Sequence, residues 1–205
     1  MATYSQAVDQ VIAELGKADT SITDVVKQEL QNAIAYYETD RFWFNEGRTS
    51  FSATSTIYYP IATVIPDLLE IDTMAITTGG CVYEIEPENL KTILEMDTAS
   101  ETGIPHKYAI HAEKIRLYAK PDAVYQVDVD YLKRLSTLSA TSDTNAWVSF
   151  GGEMIQARAQ KQLCAKRYRD YDKAVACKQV EDEAYQKLKD RTERLLGSGK
   201  ISGSW

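Results

Sequence analysis

Apolar residues recur at two periods along the 205-residue chain, and the period changes twice. Near the start, Ala7, Val8, Val11, Ile12 and Leu15 have the 3–4 spacing of one helix face, and Gly16 marks the stop. A second helix is predicted from Ile22 to about Thr39. Its stripe is Val25, Val26, Leu30, Ala33, Ile34 and Tyr37, with Ser21 as N-cap and Asp24 three residues on. An aromatic cluster, Phe42-Trp43-Phe44, breaks this pattern and reads as a packed junction. From Thr49 the period is two: Phe51, Ala53, Ser55 and Ile57 alternate with Ser52, Thr54, Thr56 and Tyr58 until Pro60, which lacks a ladder N–H. A strand through Ile76, the Gly79-Gly80 turn and a returning strand Cys81–Ile85 follow. Pro87 suits the first turn of a helix over Glu88–Met96.

The most regular stretch is Ile104–Leu135. It predicts three consecutive half-buried antiparallel strands. Tyr108 and Ile110 alternate with Lys107 and His111; Ile115, Leu117 and Ala119 alternate with Lys114, Arg116 and Tyr118; Ala123, Tyr125, Val127, Val129 and Tyr131 alternate with Val124, Gln126, Asp128, Asp130 and Leu132. A short connection over His111–Lys114 and a turn at Lys120-Pro121-Asp122 join them. After the Ser/Thr/Asp-rich loop Ser136–Asn145, Trp147–Phe150 opens a second helical half. One helix is predicted over Met154–Tyr171 and another over Lys173–Leu196, with an apolar seam at Ala176, Val180, Ala184 and Leu188. Gly197–Trp205 reads as a flexible tail ending in an aromatic.

The expected fold is therefore α+β, a helical bundle of N- and C-terminal helices with an inserted antiparallel β domain, sandwich or small barrel-like. Its divisions are a helical hairpin over 1–46, the β domain with a short helix over 47–145, C-terminal helices over 146–196 and an extended tail over 197–205.

Charge alters this picture in one respect. The net charge is −7, yet residues 146–205 carry 12 basic against 8 acidic groups. An acidic body does not attract nucleic acid, which needs clustered Lys and Arg. Arg158, Lys161, Lys166, Arg167 and Arg169 nevertheless bias the Met154 helix towards positive charge. That helix can meet an acidic protein surface, act as a DNA-binding helical module, or be an ordinary solvated helix. No run approaches the ~18 apolar residues of a membrane span, and the N-terminus does not read as a secretory signal. Cys81, Cys164 and Cys177 have no CxxC spacing, which argues against a disulfide scaffold and for a reducing compartment at synthesis. Tyrosine is the outlier, 13 residues against 4 Phe; it suits both interface cores and half-wet sheet faces.

Candidate chemistry is sparse. Asp128 and Asp130 project from one strand face and could serve acid/base work or hold Mg²⁺, but no nucleophile or further carboxylate accompanies them in sequence, so they read as an acidic surface or lumen-facing patch. His106 and His111, with Glu113, fall short of the three or four ligands of a zinc site. Gly79-Gly80 lacks the GxxxxGK[ST] pattern of a phosphate loop. The chain reads as a non-enzyme, with no catalytic residue, metal or cofactor.

Ordered along the chain, the landmarks are IYYPIATVIPDLLEI (Tyr58 to Pro66), GIPHKY (Pro105 to Tyr108), LYAKPD (Leu117 to Asp122) and VDVDYLKRLSTLS (Tyr131 to Ser139), between a helical hairpin and long C-terminal helices. This order resembles the head-to-tail adaptor proteins of tailed bacteriophages, also called portal adaptors, head-completion proteins or tail accessory factors. The resemblance spans roughly residues 1–195. Its motifs are packing and turn motifs, and it departs at Ala119, where the family pattern implies proline. The resemblance implies a structural virion protein, made in the host cytoplasm and placed at the head–tail interface. It implies a dodecameric ring, a head–tail connector beneath the portal protein that contacts neighbouring copies of itself and tail or nozzle proteins. The ring would line the DNA channel, near the genomic DNA without binding it specifically. It implies helices turned to the portal or to neighbouring protomers, with the β domain outward or tailward. On this reading Arg158, Lys161, Lys166, Arg167, Arg169, Ile201 and Trp205 contact portal or neighbour, and Asp128 and Asp130 form the channel or surface acidic patch, whose negative charge repels phosphate.

Overall fold

The computed structural model describes residues 3–16, 22–96 and 101–197. The fold is α+β, in two compact units: a helical one from the chain up to Asn45 and from Leu135 onward, and a β unit over Glu46–Arg134. In chain order the elements are α1 (Tyr4–Leu15), α2 (Thr23–Tyr37), β1 (Glu46–Ala53), β2 (Tyr58–Pro60), α3 (Ile61–Val64), β3 (Leu68–Thr78), β4 (Cys81–Glu84), β5 (Glu86–Pro87), α4 (Leu90–Met96), β6 (Thr102–Gly103), β7 (Lys107–His111), β8 (Lys114–Tyr118), β9 (Lys120–Pro121), β10 (Tyr125–Lys133), α5 (Ala146–Phe150), α6 (Gly152–Leu163) and α7 (Tyr171–Gly197).

In the helical unit, α1 starts on a capping box. The Gln6 N–H donates to Thr3 Oγ1 (3.3 Å) and the Thr3 N–H to Gln6 Oε1 (2.9 Å). Gly16 closes α1 in the left-handed region, φ 67°. The proposed cap Ser21 lies outside the described residues. Val8, Val11, Val26, Leu30 and Ala33 are buried against Trp147, Met154, Ile155 and Leu163 in one core. The segment Leu135–Asn145, expected with the β part, belongs to this unit: Leu138 is buried in the core, Gln31 donates to the Leu138 carbonyl (2.6 Å), and the Tyr4 N–H to that of Asp143 (2.8 Å). The helix expected over Met154–Tyr171 is broken. α6 ends at Leu163, a π-helical turn covers Cys164–Tyr168, and Arg169 turns left-handed at φ 55°.

The seam of α7 also differs from the expected one. Ala174, Cys177, Glu181, Ala184, Leu188 and Thr192 are its buried residues, while Ala176 and Val180 are exposed. A strict four-residue repeat drifts around a helix of 3.6 residues per turn, whereas alternating threes and fours hold one face. Holding that face puts a carboxylate in the middle of the seam.

The β unit is two four-stranded sheets, ordered β1-β10-β3-β4 and β2-β8-β7-β5, with a β6-β9 bridge. Phe51, Met74, Ile76, Val127, Val129 and Tyr131 of the first sheet share one core with Tyr59, Tyr108, Ile115 and Leu117 of the second. The Gly79-Gly80 turn has positive φ at both residues (58° and 78°), the requirement of a two-residue hairpin.

Three strand expectations are corrected here. Ile104–Leu135 is not one meander: β7 and β8 form a hairpin in the second sheet, while β10 lies in the first, because the turn at Pro121 crosses between sheets after a parallel bridge to Thr102–Gly103. Thr49–Pro60 is two strands in different sheets. The Tyr59 hydroxyl braces the corner, accepting from the Thr54 N–H (2.9 Å) and donating to the Thr56 carbonyl (2.7 Å). Arg116 and Tyr118, expected on a polar face, are buried; Tyr118 packs with Ala109 against Ile93 of α4 on the outer side of this hairpin. Arg116 lies 5.4 Å from the Tyr58 ring centre. Pro87 sits in the bridge to Tyr108 instead of opening α4; Asn89 serves there, its side chain accepting from the Lys91 N–H (2.9 Å).

The aromatic junction is pinned by Asn45. Its side chain accepts from the Phe42 N–H and donates to the Asp40 carbonyl, both at 2.8 Å, and the residue is buried. Asn45→Ala leaves both backbone groups without those partners. It is expected to cost about 1–3 kcal/mol, measured as a lower midpoint in denaturant unfolding.

Candidate functional site

The most concentrated polar chemistry of the helical unit is at Glu181, whose side chain is only 3% exposed. Three groups converge on its carboxylate. The Tyr37 hydroxyl from α2 donates to Oε1 at 2.6 Å, and Arg158 Nη1 from α6 to the same oxygen at 2.8 Å. Lys161 Nζ, one turn along α6, donates to Oε2. The Arg158 guanidinium also stacks 3.2 Å from the Tyr36 ring centre. Burial works to raise the Glu181 pKa, but the bonds from Lys161, Tyr37 and Arg158 outweigh it and hold it below the ordinary 4.5. The Tyr37 hydroxyl is pushed up by burial first and by the carboxylate beside it second.

This arrangement separates the five expected interface cations. Arg158 and Lys161, with side chains 14% and 17% exposed, point inward and tie α6 to α7. Lys166, Arg167 and Arg169 stay exposed at the corner between those helices. Ile201 and Trp205 lie outside the described residues. Glu181 escaped the sequence reading, and Tyr37 was read only as part of the apolar stripe of α2. The available signal was the 3–4 spacing of Cys177, Glu181, Ala184 and Leu188, which a search confined to apolar residues skips.

An open groove of about 770 Å³ runs between α1, α5, α6 and α7 and is lined by Gln10, Glu14, Phe150, Gln156, Lys173 and Val180, among others. Beside it, Cys177 Sγ lies 3.6 Å from Gln160 Oε1, and burial raises the thiol's pKa, so it behaves as a packed side chain. Phe150 at its rim also meets Trp43, over which Arg191 lies at 4.4 Å.

In the β unit, Asp128 and Asp130 do share the outer face of β10. Thr73 Oγ1 donates to Asp130 Oδ2 (3.1 Å), Arg48 Nε lies 3.6 Å from Asp130 Oδ1, and Gln126 Nε2 donates to Asp128 Oδ1 (3.4 Å). Asp72 and Glu46 line the same shallow hollow. The patch is acidic with one arginine in it. His106 packs on Tyr118, centroids 5.3 Å apart, and His111 is exposed at the hairpin end. Among the described residues no group of three or more His, Cys, Asp or Glu is placed to hold a metal ion, and no helix is long and apolar enough to cross a membrane.

The chemistry on view among the described residues is that of packing and surface charge. The family model described as SU10 adaptor protein matches residues 2–202, and the chain belongs to this family of phage adaptors. No curated protein matches it.

Removing the carboxylate leaves two cations buried against one another. Glu181→Ala is expected to lose about 3–5 kcal/mol, read by chemical denaturation. Because the folded pKa is depressed, this stabilisation is complete above pH 4.5 and is lost as the pH falls through the lower folded value. The wild-type melting temperature should therefore drop below that pH more steeply than that of Glu181→Gln.

Proposed function

We propose that the chain is one subunit of a twelve-membered ring that joins a phage portal protein to tail or nozzle components and surrounds the path of the DNA in the virion. The observation that carries this reading is the family match over residues 2–202, nearly the whole chain. The exposed corner Lys166, Arg167 and Arg169 is the docking surface for portal or neighbouring subunit, and Ile201 and Trp205 anchor the C-terminal segment in that partner. Asp128 and Asp130 belong to the channel or outer acidic surface. Arg158 and Lys161 act differently from the others: bonded to Glu181, they hold the helices that present the corner. The same pairing speaks against a DNA-binding helical module, since it leaves three exposed cations at the corner of a chain of net charge −7. Subunits stay apart until the portal presents a template.

Electron microscopy of the protein mixed with its portal should show a closed ring on the portal. Reversal of Lys166, Arg167 and Arg169 to Glu should weaken portal binding by about tenfold or more, the equivalent of ~1.4 kcal/mol, while leaving the melting temperature unchanged. Unaltered binding by the triple variant removes the corner from the proposal, and absence of a ring removes the function. Deletion of residues 197–205 tests the anchor in the same assay, and unchanged assembly removes it.

A further inference from the structure

The first sheet of the β unit ends in two open edges. In its order β1-β10-β3-β4 every neighbouring pair is antiparallel, and among the described residues no other strand pairs with the outer side of β1 or of β4. All four residues of β4 are exposed, Val82 at 71% and Tyr83 at 41%. An unpaired edge is a template for another strand. Strand direction alternates across the sheet, so β1 of a second copy, set antiparallel against β4, continues the alternation without a break. The two edges differ, which makes such a contact heterologous. Heterologous contacts repeat from copy to copy and close into a ring when the rotation permits.

We infer that β4 of one copy pairs with β1 of the next, with Glu84 opposite Arg48. Register follows from the faces. Glu84 opposes Ala75, which opposes Asp128, on the outer face; Tyr83 opposes the buried Ile76, on the core face. On β1, Phe51 and Ala53 are buried, so Arg48, Ser50 and Ser52 lie outward. A one-residue slip would exchange the faces, so Glu84 can meet only an outward residue of β1. Of those, Arg48 alone carries the complementary charge; Glu46 has the same sign. Arg48 is 70% exposed with a 3.6 Å contact to Asp130, and Glu84 makes no ion pair among the described residues. In this register Tyr83 meets Thr49, Val82 meets Ser50 and Cys81 meets Phe51. The exposed Tyr83 ring then extends the core face across the junction. The ladder is four residues long, so each contact is weak alone and gains from many copies held together. The inference rests on the ring reading for its closure.

Disulfide trapping tests it. Arg48→Cys and Glu84→Cys are prepared separately, each with Cys81→Ser, mixed in the presence of the portal and oxidised. The heterodisulfide is expected in several-fold excess over either homodimer. A statistical mixture of the three products overturns the inference. As a second measurement, Arg48→Glu and Glu84→Arg should each lose assembly on the portal, and the double exchange should restore it; assembly indifferent to both charges also overturns it. The two readings separate on the portal. A ring that forms with no heterodisulfide excess defeats the edge pairing alone. Heterodisulfide-linked open chains with no ring defeat the ring alone.

Discussion

The helical unit depends on a carboxylate placed where an apolar side chain would ordinarily go. Glu181 occupies the centre of the buried seam of α7 and is reached from α2 by Tyr37 and from α6 by Arg158 and Lys161. A charge taken out of water needs well-placed partners, and here one carboxylate has three. Apolar packing alone would allow α7 to slide along its neighbours at small expense, since Ala174, Ala184 and Leu188 offer little shape to resist translation. The bonds at Glu181 fix one register. The exposed corner at Lys166, Arg167 and Arg169 inherits its position from that register, since it lies between the two helices the carboxylate ties together.

The β unit solves a different problem. Its second sheet has something to bury on both faces. Tyr108, Ile115 and Leu117 face the shared core, while Ala109 and Tyr118 face α4. The first sheet has one dry face and one polar face, with Arg48, Asp128 and Asp130 on the wet side. The corner at Tyr59 and the crossing at Pro121 are two of the four places where the chain passes from one sheet to the other, the others lying between β2 and β3 and between β4 and β5.

Much of this was legible in the residues. The helical hairpin, the strand β10 with alternate buried Val127, Val129 and Tyr131, and the β7–β8 hairpin follow from period and turn chemistry. Sheet membership did not, because alternation reports which side of a strand is dry but not which neighbour it pairs with. Tyr118 was misplaced for a related reason: period two assumes one wet face, and α4 covers the second. Glu181 was invisible because a buried carboxylate has no local signature; only the positions of Tyr37, Arg158 and Lys161, up to 144 residues away in sequence, make it tolerable. The split of the five cations into inward and outward sets had the same origin.

The insertion of the β unit sets an order for synthesis. Glu46–Arg134 is contiguous and holds its whole core within itself, so it can close as soon as β10 leaves the ribosome. The α1–α2 hairpin emerges before the β unit yet has to wait. Tyr4 needs Asp143, Gln31 needs Leu138 and Tyr37 needs Glu181, all made after the entire β unit. During that interval Val11, Val26 and Leu30 have no core to enter, and contacts so distant in sequence form slowly. The α1–α2 hairpin, made before the β unit, is thus secured only after it.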